Sequence, residues 1–531
     1  MLLNLKHITS STMNIISSVW FWLVSVAIIV IIRDIFLQKS HTITHNFPIV
    51  GHFRYWLERI GPELRQYIVA NNREELPFNR QERSWIYASS KNENNLQGFG
   101  TDQDFSSPGY IFIKNAMMGF NPKPAHLFHQ NPGVLPAAKI IGLHHKRAKP
   151  YRPYSIINIS GMSYGSLSAK AIESLNKGAL LAGCYHNTGE GSLSPYHQNG
   201  ADVMLNIGTA YFGVRELDGR FSMEKLKQKV VDNPCIKAIE LKLSQGAKPG
   251  KGGMLPKSKI NKEIAEIRHI PMDQDAISPA FHSQFSNVPE MVNFIESMAL
   301  ETGLPVGVKS AIGKLEQWEE LAAYMEKHGK GPDFITIDGG EGGTGAAPHA
   351  FADHVSMPFT FAFAKVYQIF QRHNLTDKIY FIASGKLGFP EKALMAFAMG
   401  ADSIHIAREA MMSIGCIQAQ KCHTNHCPTG IATSNKWLQA GIDVSLKSER
   451  YYLYHYTLVK EIAEITHACG YEHPAQMTMD DIEWSMGDNN RTMALSKALG
   501  YTKTNIPYSG LEELVKCPHL GGLNARKRLS L

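Results

Sequence analysis

Three closely spaced cysteines are the most chemically loaded feature of this 531-residue chain. They lie in Gly415-Cys416-Ile417-Gln418-Ala419-Gln420-Lys421-Cys422-His423-Thr424-Asn425-His426-Cys427-Pro428, a C-x5-C-x4-C spacing closed by proline. Thiolates hold soft metal centres, and zinc sites usually show two close Cys pairs or a Cys pair with a His pair. His423 and His426 could complete such a site, so that reading stays open. Three thiolates with no fourth nearby, followed by proline, suit an iron–sulfur cluster that lacks one iron corner. The remaining cysteines, Cys184, Cys235, Cys469 and Cys517, are scattered. An odd total spread over a long chain does not read as a disulfide framework, so a reducing compartment is expected for the catalytic part.

Polar and glycine residues at the ends of short apolar runs form a second group. Ser163-Tyr164-Gly165, Asn187-Thr188-Gly189-Glu190-Gly191, Lys242-Leu243-Ser244-Gln245-Gly246, Lys309-Ser310, the run from Asp338 to Gly345, and Ser384-Gly385-Lys386 all follow such runs. The runs read as strands over 155–163, 184–188, 203–207, 236–243, 304–309, 333–338, 378–383 and 402–407. Amphipathic helical patterns fall between them over 168–182, 223–231, 288–300, 315–327 and 390–399, with Ser168 and Pro390 at positions that helix starts favour. Eight strands with intervening helices over about 250 residues predict an α/β fold, a (β/α)8 TIM barrel, whose chemistry sits at the carboxyl ends of its strands. An open doubly wound sheet would carry G-x-G-x-x-G after its first strand, and Gly161-Met162-Ser163-Tyr164-Gly165 does not match.

Hydrophobic content of 44% with 19% charged residues fits a globular enzyme with a large core. The net charge of +7 is mild for the length, and no dense basic run marks a nucleic-acid footprint. No charged side chain falls between His7 and Arg33. A helix of about 20 residues spans the ~30 Å hydrocarbon core, so residues 15–36 are expected to be a single-pass transmembrane helix. A buried core helix or a cleaved signal peptide are the competing readings, but amphipathic edges and a small-residue cleavage site are both missing. Arg33, Lys39, Arg54 and Arg59 follow the span while Lys6 precedes it, which puts the catalytic body on the cytoplasmic side. The expected organisation is a tail over 1–14, the span over 15–36, an irregular segment packing on the barrel over 37–150, the barrel over 151–475 and a helical C-terminal extension over 476–531.

The segments SGMSYGSLS, NTGEG, KLSQGAKPGKGGMLP, ISPAFHS, VGVKSA, DGGEGGTGAAP and GCIQAQKCHTNHCPTGIAT together resemble the FMN-binding synthase domain of the glutamate synthases, over roughly residues 150–475. The resemblance implies FMN and a [3Fe–4S] cluster held by Cys416, Cys422 and Cys427. Full-length glutamate synthases begin with a glutaminase domain and end with a β-helix; this chain resembles the shorter stand-alone members. With no fingerprint for a nicotinamide cofactor, electrons are expected from an external partner, a ferredoxin-like protein or a membrane redox pool.

By the same resemblance, Gly161, Met162 and Ser163 would face the flavin ring edge, and Lys309 would supply positive charge near its N1. The flavin phosphate is expected between the loops after strands seven and eight, where Gly340, Gly342, Gly343, Gly385 and Lys386 offer backbone and one charge. Arg408 either pairs with that phosphate or faces solvent. The implied substrate is 2-iminoglutarate, formed from 2-oxoglutarate and ammonia. Its two carboxylates call for cations, and Glu190, Lys242, Gln245, Lys248 and Arg268 occupy the matching segments. Glu190 would position or protonate the imine nitrogen. Each of these has a plainer reading as an ion pair at a barrel mouth. Three functions compete: an FMN and iron–sulfur oxidoreductase on imino or amino acids, a flavin barrel with another substrate (an isomerase or amine dehydrogenase), and a non-catalytic membrane-tethered binding module.

Overall fold

The computed structural model describes residues 19–38, 40–123, 127–487 and 491–501. The expected tail, the first residues of the span and the last thirty residues lie outside these. The chain divides into two units, Met1–Gln81 and Glu82–Leu531.

In the second unit eight parallel strands close into a barrel: β1 Ile157–Ile159, β2 His186–Asn187, β3 Val203–Ile207, β4 Ile236–Lys242, β5 Val306–Ser310, β6 Phe334–Asp338, β7 Tyr380–Ser384 and β8 Ser403–Ile406. Each strand neighbours the next, and β8 returns to β1 through Ile404↔Ile157 and Ile406↔Ile159. Every predicted run overlaps its strand, in the predicted order, with β5 and β7 each extending one residue past the run, to Ser310 and Ser384. The sequences show why. Val-Met-Leu-Asn-Ile of β3, Phe-Ile-Thr-Ile-Asp of β6 and Tyr-Phe-Ile-Ala-Ser of β7 are buried at every residue, because helices cover the outside and packed side chains fill the interior. That interior is partly polar. Glu240 of β4 accepts from Asn187 Nδ2 at 2.8 Å, Asn206 Nδ2 at 2.6 Å and Thr336 Oγ1 at 2.8 Å.

The predicted helices form as Ala169–Ala182, Met223–Asp232, Val288–Thr302, Glu316–His328 and Pro390–Ala398. Ser168 caps the first by accepting from Ala171 N–H, an interaction worth about 1 kcal/mol. Periodicity did not reveal two further helices, Phe359–Arg372 and Val444–Ala468. In the second, tyrosines and histidines occupy the buried stripe, which weakens the apolar signal; Tyr451 reaches Cys184 Sγ at 3.3 Å.

The expectation of irregular structure over 37–150 is corrected. Helices form at Thr42–Asn46, Val50–Leu64 and Arg80–Ser90, and a strand at Ile111–Ile113. The part beyond Gln81 belongs to the barrel unit, where Lys139 pairs with Asp402 at 3.1 Å. The C-terminal extension carries its helix, Leu495–Ala498, and also two strands: Ile482–Ser485 joins Ile111–Ile113 to Thr492–Ala494 in an antiparallel sheet.

Candidate active site

The loops after β1 and β2 interlock at the barrel mouth. Gly189 has φ +63°, and a Cβ there would lie 2.7 Å from the Ser163 amide nitrogen, so only glycine lets the two loops approach this closely. Asn187 Oδ1 accepts from Gly189 N–H at 3.0 Å while its amide group donates inward to Glu240. The predicted ring-edge residues Gly161, Met162 and Ser163 occupy this loop. Ser163 Oγ lies 3.0 Å from Ser166 Oγ.

Glu190, next along the β2 loop, meets Lys242 from the end of β4, with Nζ 3.1 Å from Oε2. Lys242 also donates to Gln245 Oε1. Burial pushes the Glu190 carboxyl up, but Lys242, Lys248 and Arg268 together hold it below the usual carboxylate range. Lys248 is buried and donates to Ala346 O at 2.9 Å; burial pulls its pKa down to about 8. Arg268, from the helix Lys262–Arg268, donates to Tyr164 O at 2.8 Å and lies over the Phe212 ring at 5.4 Å. Its pKa falls to about 10 through burial, against the pull of Glu190, and its Nε has no partner among the described residues. The five residues predicted to handle substrate therefore share one neighbourhood. Glu190, Lys242 and Gln245 line a small open cleft together with Thr209, Ser244, Lys251 and three glycines. A Cβ on one of these, Gly253, would sit 2.0 Å from Glu190 Oε1. Sequence reasoning assigned no role to Thr209, Ser244 or Lys251, although Ser244 and Lys251 both lie in the KLSQGAKPGKGGMLP segment.

Lys309 lies one residue before the end of β5 and is buried. Its Nζ lies 3.7 Å from Asp338 at the end of β6 and 3.5 Å from Ser160 Oγ beyond β1. The cation thus sits inside the mouth.

The expected phosphate site needs correction. Gly340, Gly342 and Gly343 follow β6, and Gly385 with Lys386 follows β7, so the set comes from the loops after strands six and seven. Gly340 N–H donates to Met357 O and Gly342 N–H to Gly339 O, both within the protein. Lys386 pairs with Glu82 at 3.0 Å, which also binds Lys392. Arg408 opens the helix after β8, donates to Glu341 O, and lies against Gly343, where a Cβ would meet its Cδ at 2.7 Å. It reaches toward the glycine-rich loop rather than facing solvent.

The cysteine loop docks beside the same mouth. Asn425 Nδ2 donates to Ser258 O at 2.9 Å, and Ser168 N–H to Ile431 O at 2.8 Å. Burial pushes the Cys416 thiol up to about 12, with Cys422 and Cys427 adding to the shift; Cys422 is raised by burial and by Cys427. The three thiols thus share one local field. Lys259, which sequence reasoning missed, is close enough to Cys422 and Cys427 to feel both and donates to Ser166 O at 3.1 Å. Among the described residues no three His, Cys, Asp or Glu side chains converge tightly enough for a single ion, and His423 and His426 are exposed.

A closed parallel barrel with a cationic cleft at the carboxyl ends of its strands defines a (β/α)8 enzyme. Residues 127–472 match the family described as the conserved region in glutamate synthase. The chain is 39% identical to the glutamate synthase large subunit-like protein YerD of Bacillus subtilis (strain 168), over 85% of this chain and 91% of that protein. It is 34% identical to an archaeal-type glutamate synthase [NADPH] of Thermotoga neapolitana, over 55% of each, so it spans about half the length of that relative. A flavocytochrome b2 with pyruvate bound superposes with a TM-score of 0.41 at 11% identity, covering 87% of this chain and 90% of that one. The chain belongs to the glutamate synthase family, oxidoreductases acting on the CH–NH2 group.

Proposed function

We propose that the chain is an FMN- and [3Fe–4S]-dependent oxidoreductase that interconverts an imino and an amino dicarboxylic acid, with 2-iminoglutarate to glutamate the leading reaction and electrons from an external donor such as a ferredoxin-like protein or a membrane redox pool. The carrying observation is the excess of positive charge around Glu190, whose single carboxylate feels Lys242, Lys248 and Arg268. That balance suits a doubly anionic ligand.

The bare loops around Gly161 and Gly189, the buried Lys309 and the unpaired Arg268 Nε fit a flat anionic cofactor. Gly161, Met162 and Ser163 would flank its ring, Lys309 its electron-rich edge, and Gly343, Gly385 and Arg408 its phosphate, with Gly340, Gly342 and Lys386 available only after the bonds described above rearrange. FMN, when bound, supplies hydride transfer at N5, and the cluster single-electron relay. Cys416, Cys422 and Cys427 suit the cluster because three neighbouring thiols, Cys427 buried and the other two partly so, repel one another as anions until a cationic centre takes them. Lys242 and Gln245 orient one end of the substrate, Lys248 and Arg268 offer charge to its carboxylates, and Glu190, kept as a carboxylate by those cations, positions the imine nitrogen by accepting its N–H.

The helix Val19–Leu37, with a mean hydropathy of 2.2 and only 6% of its most apolar window buried, supports a membrane tether, and the basic residues that follow it favour the cytoplasmic side for the barrel. The test of function is anaerobic. The dithionite-reduced, flavin-loaded chain is mixed with 2-oxoglutarate plus ammonia, with other keto acids plus ammonia, and with each reagent alone. Rapid flavin reoxidation only with 2-oxoglutarate and ammonia together is the expected result. Reoxidation by another acceptor while this pair leaves the flavin reduced would overturn the substrate assignment, and a purified chain without flavin absorption or about three irons would overturn the cofactors.

A further inference from the structure

We infer that the helix Val50–Leu64 is a second membrane contact, an amphipathic element lying in the headgroup layer of an anionic bilayer beside the end of the apolar helix. This rests on the proposed tether and extends it.

The sequence VGHFRYWLERIGPEL places Val50, Phe53, Leu57 and Leu64 at spacings that share one helical face, with Trp56 at its edge. In a soluble unit that face would be turned inward. Here it is turned out: Val50 is 73% exposed, Phe53 59% and Trp56 54%. The inward-facing side is the polar one. His52 Nε2 lies 2.7 Å from Asp34 Oδ2, and Ile49 N–H reaches the same oxygen at 3.4 Å. Gly51 is buried against the helix Thr42–Asn46, where a Cβ would stand 2.9 Å from Thr44 Cα. Gln38 Nε2 adds a bond to Thr44 Oγ1 at 3.0 Å.

These bonds fasten the amphipathic helix to Asp34, at the end of Val19–Leu37, so the exposed apolar face continues from an apolar helix that is itself unburied. Arg54, Arg59 and Arg65 rise exposed from the same segment. An apolar stripe with an aromatic edge and basic neighbours is the composition of interfacial helices, which bind through buried apolar area and attraction to anionic lipid. A protein partner would also cover an apolar stripe, but continuity with the span and the arginines favours lipid.

The full chain is reconstituted into vesicles of phosphatidylethanolamine and phosphatidylglycerol, with a photoreactive residue introduced as Phe53→p-benzoylphenylalanine or Trp56→p-benzoylphenylalanine. Glu58 serves as the polar-face control and Val26 as the control within the span; flavin content reports folding. Lipid adducts at 53 and 56, several-fold above those at 58 and rising with the phosphatidylglycerol fraction, are expected. Lipid capture at 26 with none at 53 and 56, or protein adducts at 53 and 56 in place of lipid, overturns this inference and leaves the tether standing. Capture at 53 and 56 without capture at 26 supports the interfacial helix and sinks the span. No lipid capture at any position overturns both.

Discussion

Two glutamates of the barrel, one following β2 and one on β4, meet opposite surroundings. Glu240 lies in the interior, fully buried, and its two oxygens receive three neutral donors from Asn187, Asn206 and Thr336. Glu190 lies at the mouth, faces Lys242 at 3.1 Å, and feels Lys248 and Arg268 as well. Asn187 touches both regions, donating to Glu240 and accepting from the Gly189 amide that leads to Glu190. The contrast separates architecture from chemistry. A buried carboxylate whose lone pairs are already matched has nothing left to offer a ligand. A carboxylate outnumbered by cations leaves positive charge for an incoming anion to answer.

The strongest way to break this comparison is Glu190→Gln. Its kcat/KM is expected to fall by about 10²-fold, the scale for losing a group that positions the reacting nitrogen, while the melting curve hardly moves. Full activity in steady-state assays would remove Glu190 from the chemistry. Glu240→Ala should do the reverse. It strands three buried donors and should cost about 3 kcal/mol or more in denaturant unfolding; wild-type stability would mean the interior network is not structural. Gly253→Ala sharpens the point, since a Cβ 2.0 Å from Glu190 Oε1 must displace that carboxylate. A misplacement of this kind should lower kcat/KM by up to about 10²-fold in a chain of near-normal stability, and unchanged kinetics would show that the position of Glu190 is not critical. The smallest effect is one of pH. Burial lowers Lys248 to about 8, so it is charged below that value and loses its charge as pH rises through it. For an anionic acceptor, kcat/KM should therefore drop above pH 8, by about tenfold if one charge-assisted bond is lost. Lys248→Gln should be slow throughout and lack the step; a step that survives in the variant belongs to another group.

Legibility followed the range of the physics. The barrel was readable because eight β-branched runs, each ending in polar or glycine residues, alternate with helical patterns along the chain. Ser168 and Pro390 marked helix starts for local reasons. The helix Val444–Ala468 escaped because its buried face is built from Tyr451, Tyr454 and His455 as much as from aliphatic residues. The helix Val50–Leu64 escaped because Gly61-Pro62 interrupts an otherwise regular stripe. At the site, Glu190, Lys242 and Gln245 could be named from their segments. Lys259 could not be placed beside the cysteines, since more than 150 residues separate them in the chain.

Local order and the residue types able to bind metal, cofactor or dicarboxylate were thus properties of the sequence alone, because periodicity, capping and motif spacing act over a few turns of chain. Partnership was decided only in three dimensions. Closure of β8 onto β1 chose which charges meet in the cleft, engaged Lys386 with Glu82 and the Gly340 and Gly342 amides within their own loops, and gave Glu240 and Glu190 their different fates. Electrostatics and hydrogen bonding depend on distance in space, and the chain's own order does not contain it.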